Sequence, residues 1–423
     1  MVCSAAWDPD GPAIAWGNTP EGLPFGADWM HFKVGQHNTF TPMSPIDART
    51  PLERAFRLSD LQFTDAPQAS FRRPGAVDLT FTKSEELMLA GFKQGDEQVA
   101  IWKITRKDKE SNFPRINCFA RVAGGCAVVG VGHELIGLSR SGEIGRLFLG
   151  HTATVWAVAP SPDGRLLLSA SADQTLKIWS LERVDPLLTL FFADSEWVAW
   201  TPQGYYAASP GGEQLMGWHV NNGLNAMASY YPASQFRKTL HRPDVIKRLL
   251  KAGSLEMALA EADTARGEAS RPTAVAQVLP PKVAITTPAD AKLALSNDTL
   301  EVQAVATSVG AYPVTALRLL LDGRPAPEGL STFPNPKLGE ARGSWTVAVP
   351  PGSHRLIVQA DSEVSKGLSE PIEVTRGSGD AEPGTAKGSG TLYLLAIGIN
   401  DYPDKRLKLD CAAPDARALR QAF

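Results

Sequence analysis

Cysteine is scarce in this chain: four residues (Cys3, Cys118, Cys126 and Cys411) in 423, none in CxxC spacing. That excludes a disulfide scaffold and a cysteine-ligated metal site, and a reducing, cytoplasmic compartment fits best. Long hydrophobic runs are also missing. The longest, Leu392 to Ile399, falls far short of the roughly 18 residues that a membrane helix needs. The opening MVCSAAWDPDG has neither the basic nor the apolar region of a secretory signal. Charge of one sign is not in excess: 42 Lys and Arg stand against 45 Asp and Glu, for a net charge of −3. No bulk attraction to nucleic acid or to an anionic membrane is therefore expected. GxxxxGKS/T, HExxH, GxSxG and DxDxDG are all absent, so no cofactor and no metal is expected.

What is present is turn-rich and apolar. The chain holds 37 Gly, 32 Pro and 10 Trp with 43% hydrophobic residues, which favours β structure with real cores over a helical bundle. Its length allows two to four domains of about 100–200 residues each. A repeat occupies the first half. Gly150-His151 and VWAVAPSPDGRLLLSASADQTLKIWSL read as four short strands, broken at Ser161-Pro162-Asp163-Gly164 and at Ala172-Asp173-Gln174 by turn chemistry. The pattern recurs as EWVAWTPQGYYAASPGGEQLMGWHV, with Gly164 and Gly204 40 residues apart and Trp179 and Trp218 39 apart. A weaker copy, LTFTKSEELMLAGFKQGDEQVAIWKI, ends at a strand carrying Trp102, and a degenerate copy lies between it and Gly150. The opening AAWDPDGPAIAWG matches the first two strands of another copy, followed by a polar insert to about residue 50.

The period and the Gly-His and Ile-Trp positions resemble WD40 repeats, the blades of β-propellers. In that family a blade histidine, a serine, a turn aspartate and the tryptophan form a buried hydrogen-bonded set. The resemblance places His151, Ser169 or Ser171, Asp173 and Trp179 in those roles, as structural packing rather than catalysis. About five copies are found, and the chain opens directly at a first strand, so either the propeller is compact or further blades precede it, the latter being expected. The family implies protein partners for the propeller.

After Gly223 the spacing turns helical. Pro243 suits a first helical position, Val245, Ile246, Leu249 and Leu250 share a face, and Gly253 is a natural stop. Ser254 is placed to cap a second helix to about Ala265, with Leu255, Ala258 and Leu259 on its buried side. This pair reads as a buckle between the propeller and the strands beyond it. Strands resume from Pro281 to Arg376 (VAITTP, TLEVQAVATSV, TALRLLLDG, GSWTVAVP, HRLIVQADS, PIEVTR), which fits an immunoglobulin-like or fibronectin-like sandwich serving as a spacer. GSGDAEPGTAKGSG at 377–390 has a linker's composition.

The final 33 residues open on the apolar strand Leu392 to Ile399, followed by a loop and a helix with Ala412, Ala416, Leu419 and Phe423. Leu394-Leu395-Ala396-Ile397-Gly398-Ile399-Asn400, Tyr402-Pro403, Ala413, Asp415-Ala416 and Leu419 resemble the start of a caspase-like (peptidase C14, metacaspase-like) domain. The order of modules is similar to bacterial WD40–caspase fusion proteins. Gly398, Asn400, Tyr402 and Asp415 are the start-motif residues. That family needs a Cys nucleophile and a His from later strands, and no His lies beyond His354. Cys411 falls in the first helix rather than the nucleophile loop. The catalytic pair is thus expected to be absent, and this chain alone to hydrolyse no peptide.

The expected architecture is mainly β: WD40-type blades at 1–224, a helical bridge at 225–272, an Ig-like β-sandwich at 281–376, a linker at 377–390 and the beginning of a caspase-like α/β domain at 391–423. The expected function is the regulatory and scaffolding portion of a caspase-like endopeptidase. The alternative is a non-enzymatic WD40 interaction scaffold with a vestigial tail.

Overall fold

The computed structural model describes residues 2–8, 11–18, 52–64, 116–122, 126–139, 144–224, 226–270 and 274–377. It also describes the backbone of five short strands between 32 and 105, and helical turns at 412–414 and 417–418. Cys411, the motif residues Gly398, Asn400, Tyr402 and Asp415, and the linker from 378 onward lie outside these residues.

The described part of the chain is mainly β, and its first half is built on one central sheet. Leu166–Ser171 has all six residues buried, because it is covered on both faces. Strand alternation divides those faces. Leu166, Leu168 and Ala170, with Ala157, Ala159, Leu176 and Ile178, pack on Trp7, Ile14, Trp16 and Phe56 of an N-terminal sheet. That sheet has the order Val2–Trp7, Ala13–Asn18, Arg54–Arg57, Gln62–Thr64. Leu167, Trp179, Val155 and Val158 pack the other way, on Cys118, Ala120, Val128, Leu135 and Phe148. These belong to a second four-stranded sheet, Ile116–Arg121, Ala127–Val131, Glu134–Leu138, Ile144–Phe148. The Trp7 indole donates to the Ala159 carbonyl at 2.9 Å, and Val155 N–H to Gly132 O at 2.8 Å, so each neighbour is bonded as well as packed. A further sheet joins Asp78–Lys83, Leu87–Gln94 and Glu97–Thr105 to Phe32–Val34 and Thr39–Pro42 from the polar insert.

The expectation of about five separate blades is corrected at 195–221. Glu196–Trp200 and Tyr206–Ala208 do not begin a sheet of their own. They add as fifth and sixth strands to Val155–Pro160, Leu166–Ser171, Thr175–Ser180 and Leu188–Ala193. Ala193 pairs with Glu196 across the two-residue turn Asp194-Ser195, and so tight a connection keeps the chain in the same sheet. The third piece, Gly217–Val220 with Trp218, pairs with Ser229–Pro232 instead.

The helices Pro243–Ala252 and Leu255–Arg266 form where their spacing indicates. Val245, Ile246, Leu249 and Leu250 are buried, Gly253 closes the first helix at φ 73°, and Ser254 accepts from Met257 N–H at 3.2 Å at the head of the second. The pair docks on the strand Tyr206–Ala208, where Arg242 N–H donates to Tyr206 O at 2.8 Å. Arg242, 5% exposed, ties the pair together through Asp244 (2.9 Å) and Asp263 (3.0 Å).

Residues 282–376 form two sheets over one core. Lys282–Thr287, Thr299–Thr307 and Glu340–Ala348 make the first. Lys292–Leu295, Ile372–Arg376, Gly352–Ser362, Val314–Leu321 and Arg324–Thr332 make the second, with Lys366–Leu368 paired to Gly352–Ser362. Thr299–Thr307 alternates buried and exposed residues, and Val302, Ala304 and Val347 meet Leu317, Leu319, Leu356 and Val358 between the sheets. Arg324–Thr332 was not legible as a strand because it carries Pro325 and Pro327. It lies at a sheet edge, where a missing N–H is tolerated.

Candidate functional site

The face of the central sheet that carries Leu167 also carries Ser169 and Ser171, and on the next strand Lys177 and Trp179. His151 enters from the segment before Val155–Pro160 and Asp173 from the turn between the second and third strands. The structure brings four of the residues singled out in the sequence into one chain of hydrogen bonds. Trp179 Nε1–H donates to Ser169 Oγ at 2.8 Å, Ser169 Oγ lies 2.7 Å from His151 Nε2, and His151 Nδ1 lies 2.8 Å from Asp173 Oδ2. Ser169, not Ser171, takes the central place. Ser171 Oγ instead donates to the Ala153 carbonyl at 2.9 Å and accepts from Asp173 N–H at 3.1 Å, shaping the turn. Asp173 Oδ1 accepts from Thr175 N–H (2.9 Å) and Thr175 Oγ–H (2.6 Å).

The electrostatics fix the direction of that chain. Burial pushes the His151 imidazolium below its usual pKa, against the opposing pull of Asp173, so the ring is neutral at pH 7. A neutral ring bonded to a carboxylate at Nδ1 carries its proton there and leaves Nε2 as acceptor. The sequence of donors is then Trp179 N–H to Ser169, Ser169 O–H to His151, and His151 N–H to Asp173, with every buried proton used. Burial works against ionisation of Asp173, but the bonds from His151 and Thr175 outweigh it and hold the carboxyl far below the usual carboxylate range. The arrangement has no group placed to attack a substrate: the serine hydroxyl is fully buried and spends its proton inside the set.

The Gly-His pair also has a packing reason. A Cβ on Gly150 would stand 3.3 Å from the Trp179 ring, which further packs edge-on against Phe148 with centroids 5.8 Å apart.

Two features were missed in the sequence. Lys177 is 7% exposed and donates to Thr189 Oγ at 3.0 Å, and burial lowers its pKa against the pull of Asp173. Period-two alternation, which sets Lys177 beside Trp179, was the available signal. The second is Tyr206, Glu213 and Arg237. The Tyr206 hydroxyl is within 2.7 Å of Glu213 Oε1, and Arg237 Nε donates to the same oxygen at 2.9 Å. Burial raises the Tyr206 phenol, reinforced by the Glu213 carboxylate, so the tyrosine stays protonated and donates. This cluster joins Tyr206 and Glu213, seven residues apart, to Arg237, 24 residues beyond Glu213, and leaves no periodic pattern. Among the described residues, no group of three or more His, Cys, Asp or Glu side chains is placed to hold a metal ion, and no helix is long and apolar enough to cross a membrane.

The Trp–Ser–His–Asp chain sits in a six-stranded antiparallel sheet packed between two further sheets, in a chain whose described part is mainly β. Residues 142–180 match the family model described as WD domain, G-beta repeat, so this stretch contains a WD40 repeat. Over 107 residues the chain is 38% identical to transcription initiation factor TFIID subunit 5 of Drosophila melanogaster, which is 25% of this chain and 14% of that protein. Over 48 residues it is 48% identical to striatin of Rattus norvegicus, covering 11% of this chain and 6% of that one. The chain therefore spans a small fraction of the length of these relatives.

Proposed function

We propose that this chain acts as a protein-interaction scaffold, with the WD40-type blades as its binding module and the two-sheet domain, read as immunoglobulin-like, as a spacer. The WD40 repeat at 142–180 carries the proposal. The buried set spends its polar atoms on holding loops and strands in place, as a rigid binding platform requires. The two relatives match short stretches of this chain while bearing unrelated names, which favours a binding module used in several settings over a shared reaction. The Ig-like reading draws support from the segment that leaves the first sheet after Thr287 and pairs parallel to the last strand as Lys292–Leu295. Partners are proteins, with neither nucleic acid nor membrane implied by the balanced charge.

The resemblance of 391–423 to the start of a caspase-like domain rests on its residues alone. If the chain belongs to such an enzyme, the scaffold is its regulatory portion. The test has two arms. Partners enriched on the purified chain are re-made pure and titrated calorimetrically, expecting a saturable isotherm that weakens when the exposed turn residues Arg165 and Asp194 are charge-reversed. No partner binding tighter than about 100 μM contradicts the scaffold. Peptide substrates carrying Asp, Arg or Lys before the scissile bond are expected to stay intact, and turnover lost on Cys411→Ala contradicts the non-enzymatic reading.

A further inference from the structure

The helical pair docks on Tyr206–Ala208 and shares an apolar cluster with Val278, Tyr312 and Val364. Two short segments on either side of that pair add the direct ties between the six-stranded sheet and the two-sheet domain. In the four-residue helix Arg237–Leu240, adjacent side chains reach in opposite directions. Arg237 holds Glu213 with both ends of its guanidinium, on the side of the six-stranded sheet. Lys238 Nζ donates to the Ser362 carbonyl at 2.7 Å and lies 3.5 Å from Asp361 Oδ1, while Thr239 Oγ–H donates to the Val364 carbonyl at 2.8 Å. Asp361, 9% exposed, also faces Arg318 Nε at 3.4 Å, so its charge is shared between the helix and its own sheet.

The second segment, 275–281, is embedded rather than strung across. Val278 is fully buried, and Leu279, Tyr312 and Val364 pack on the same apolar cluster that holds Leu190, Tyr206, Phe236 and Leu249. Ala311 N–H donates to Gln277 O at 2.9 Å. Backbone approaches are close: a Cβ on Gly310 would stand 2.5 Å from Gln277 O, and one on Gly367 2.0 Å from Pro281 O. A hinge calls for solvated backbone and few apolar contacts. This junction has the reverse on both segments.

We propose that the junction is a rigid coupling, in which the Val155–Ala208 sheet, the helical pair and the two-sheet domain form one cooperative body with Arg237–Leu240 as the clasp. A protein seated on the blades would then hold the two-sheet domain in one fixed orientation. The rigidity itself does not depend on what the blades bind.

Amide hydrogen exchange of the full chain along a urea series, read by mass spectrometry, tests this. In the unsubstituted protein, amides of Thr175–Ser180 and Gly352–Ser362 should lose protection at the same urea concentration. The double variant Lys238→Ala with Thr239→Val loosens the clasp, and Gly310→Ala wedges the other segment. In either, both regions should remain protected in water while their midpoints separate by about 0.5 M urea or more. Midpoints already separate in the unsubstituted protein, or a single shared midpoint kept by both variants, would overturn the proposal.

Discussion

The sheet at 116–148 and the first four strands of its six-stranded neighbour, 155–193, have the same antiparallel order and share a core, yet are locked in different ways. In the second, the turn Ala172-Asp173-Gln174 is tied by Asp173 to His151 and Thr175, and Trp179 is held through Ser169. In the first, the corresponding turn is only Gly132-His133, and Leu138 occupies the place of Trp179, 2% exposed and packed without a hydrogen bond from its side chain. The second sheet is tied by a polar chain, while the first has a two-residue turn and close contacts, including Gly130, where a Cβ would stand 2.5 Å from Cys118 Sγ. Among the described residues, Leu138 stands where the second sheet has Trp179, so the first sheet lacks that indole donor. The polar chain adds register, because a hydrogen bond is lost when partners shift while apolar contacts slide.

The largest expected break in this comparison is Trp179→Ala. It empties a fully buried site and strands Ser169, and should cost about 3–5 kcal/mol in urea unfolding. Asp173→Ala leaves the His151 N–H and Thr175 N–H without their acceptor and should cost about 2–3 kcal/mol by the same measurement.

Protonation separates the two sheets next. His151 has its pKa lowered by folding, so below about pH 6.5 the unfolded chain binds a proton that the folded blade refuses. Stability from this group is full above that pH and falls as the pH drops towards 5. The advantage of the unsubstituted protein over His151→Gln should therefore shrink between pH 7 and pH 5. An advantage constant over that range would mean that the imidazole is not held neutral. The carboxyl of Asp173, depressed in the fold, adds its own loss only at lower pH, below about 4.

The smallest effects lie in the turns. Gly132 sits at φ 58° with open space around it, so Gly132→Ala should cost about 1 kcal/mol from backbone strain alone. Gln174 already stands at φ 69°, and Gln174→Gly trades relief of strain against chain entropy, leaving stability within about 0.5 kcal/mol. Chemical denaturation of the two variants side by side checks both.

Local signals were legible in proportion to how local their cause is. The turn at Ser161–Gly164, with Gly164 at φ 70° and Ser161 bonded to Asp163 at 2.5 Å, follows from four adjacent residues. The helix stop at Gly253 and the cap at Ser254 follow from a single turn of chain. Of the hydrogen-bonded set, the sequence left Ser169 and Ser171 as alternatives, since both lie on the same face of one strand. Their roles are decided by where His151 and Ala153 reach across the sheet. The sheet membership of Glu196–Trp200 was hidden because repeat phase marks a new copy at this point, whereas the Asp194-Ser195 turn decides the pairing. The Arg237 clasp was hidden for the same reason: Glu213, Ser362 and Val364 meet it only in the folded chain.

The central claim is that His151, Ser169, Asp173 and Trp179 stabilise their blade as one bonded unit rather than as four separate contacts. A double-mutant cycle on Ser169→Ala and Trp179→Phe, read by urea unfolding, tests it most directly. The indole N–H and the serine hydroxyl are direct partners, and Phe keeps most of the ring, so the two losses should overlap with a coupling of about 1 kcal/mol or more. Losses that add to within about 0.3 kcal/mol would contradict the claim.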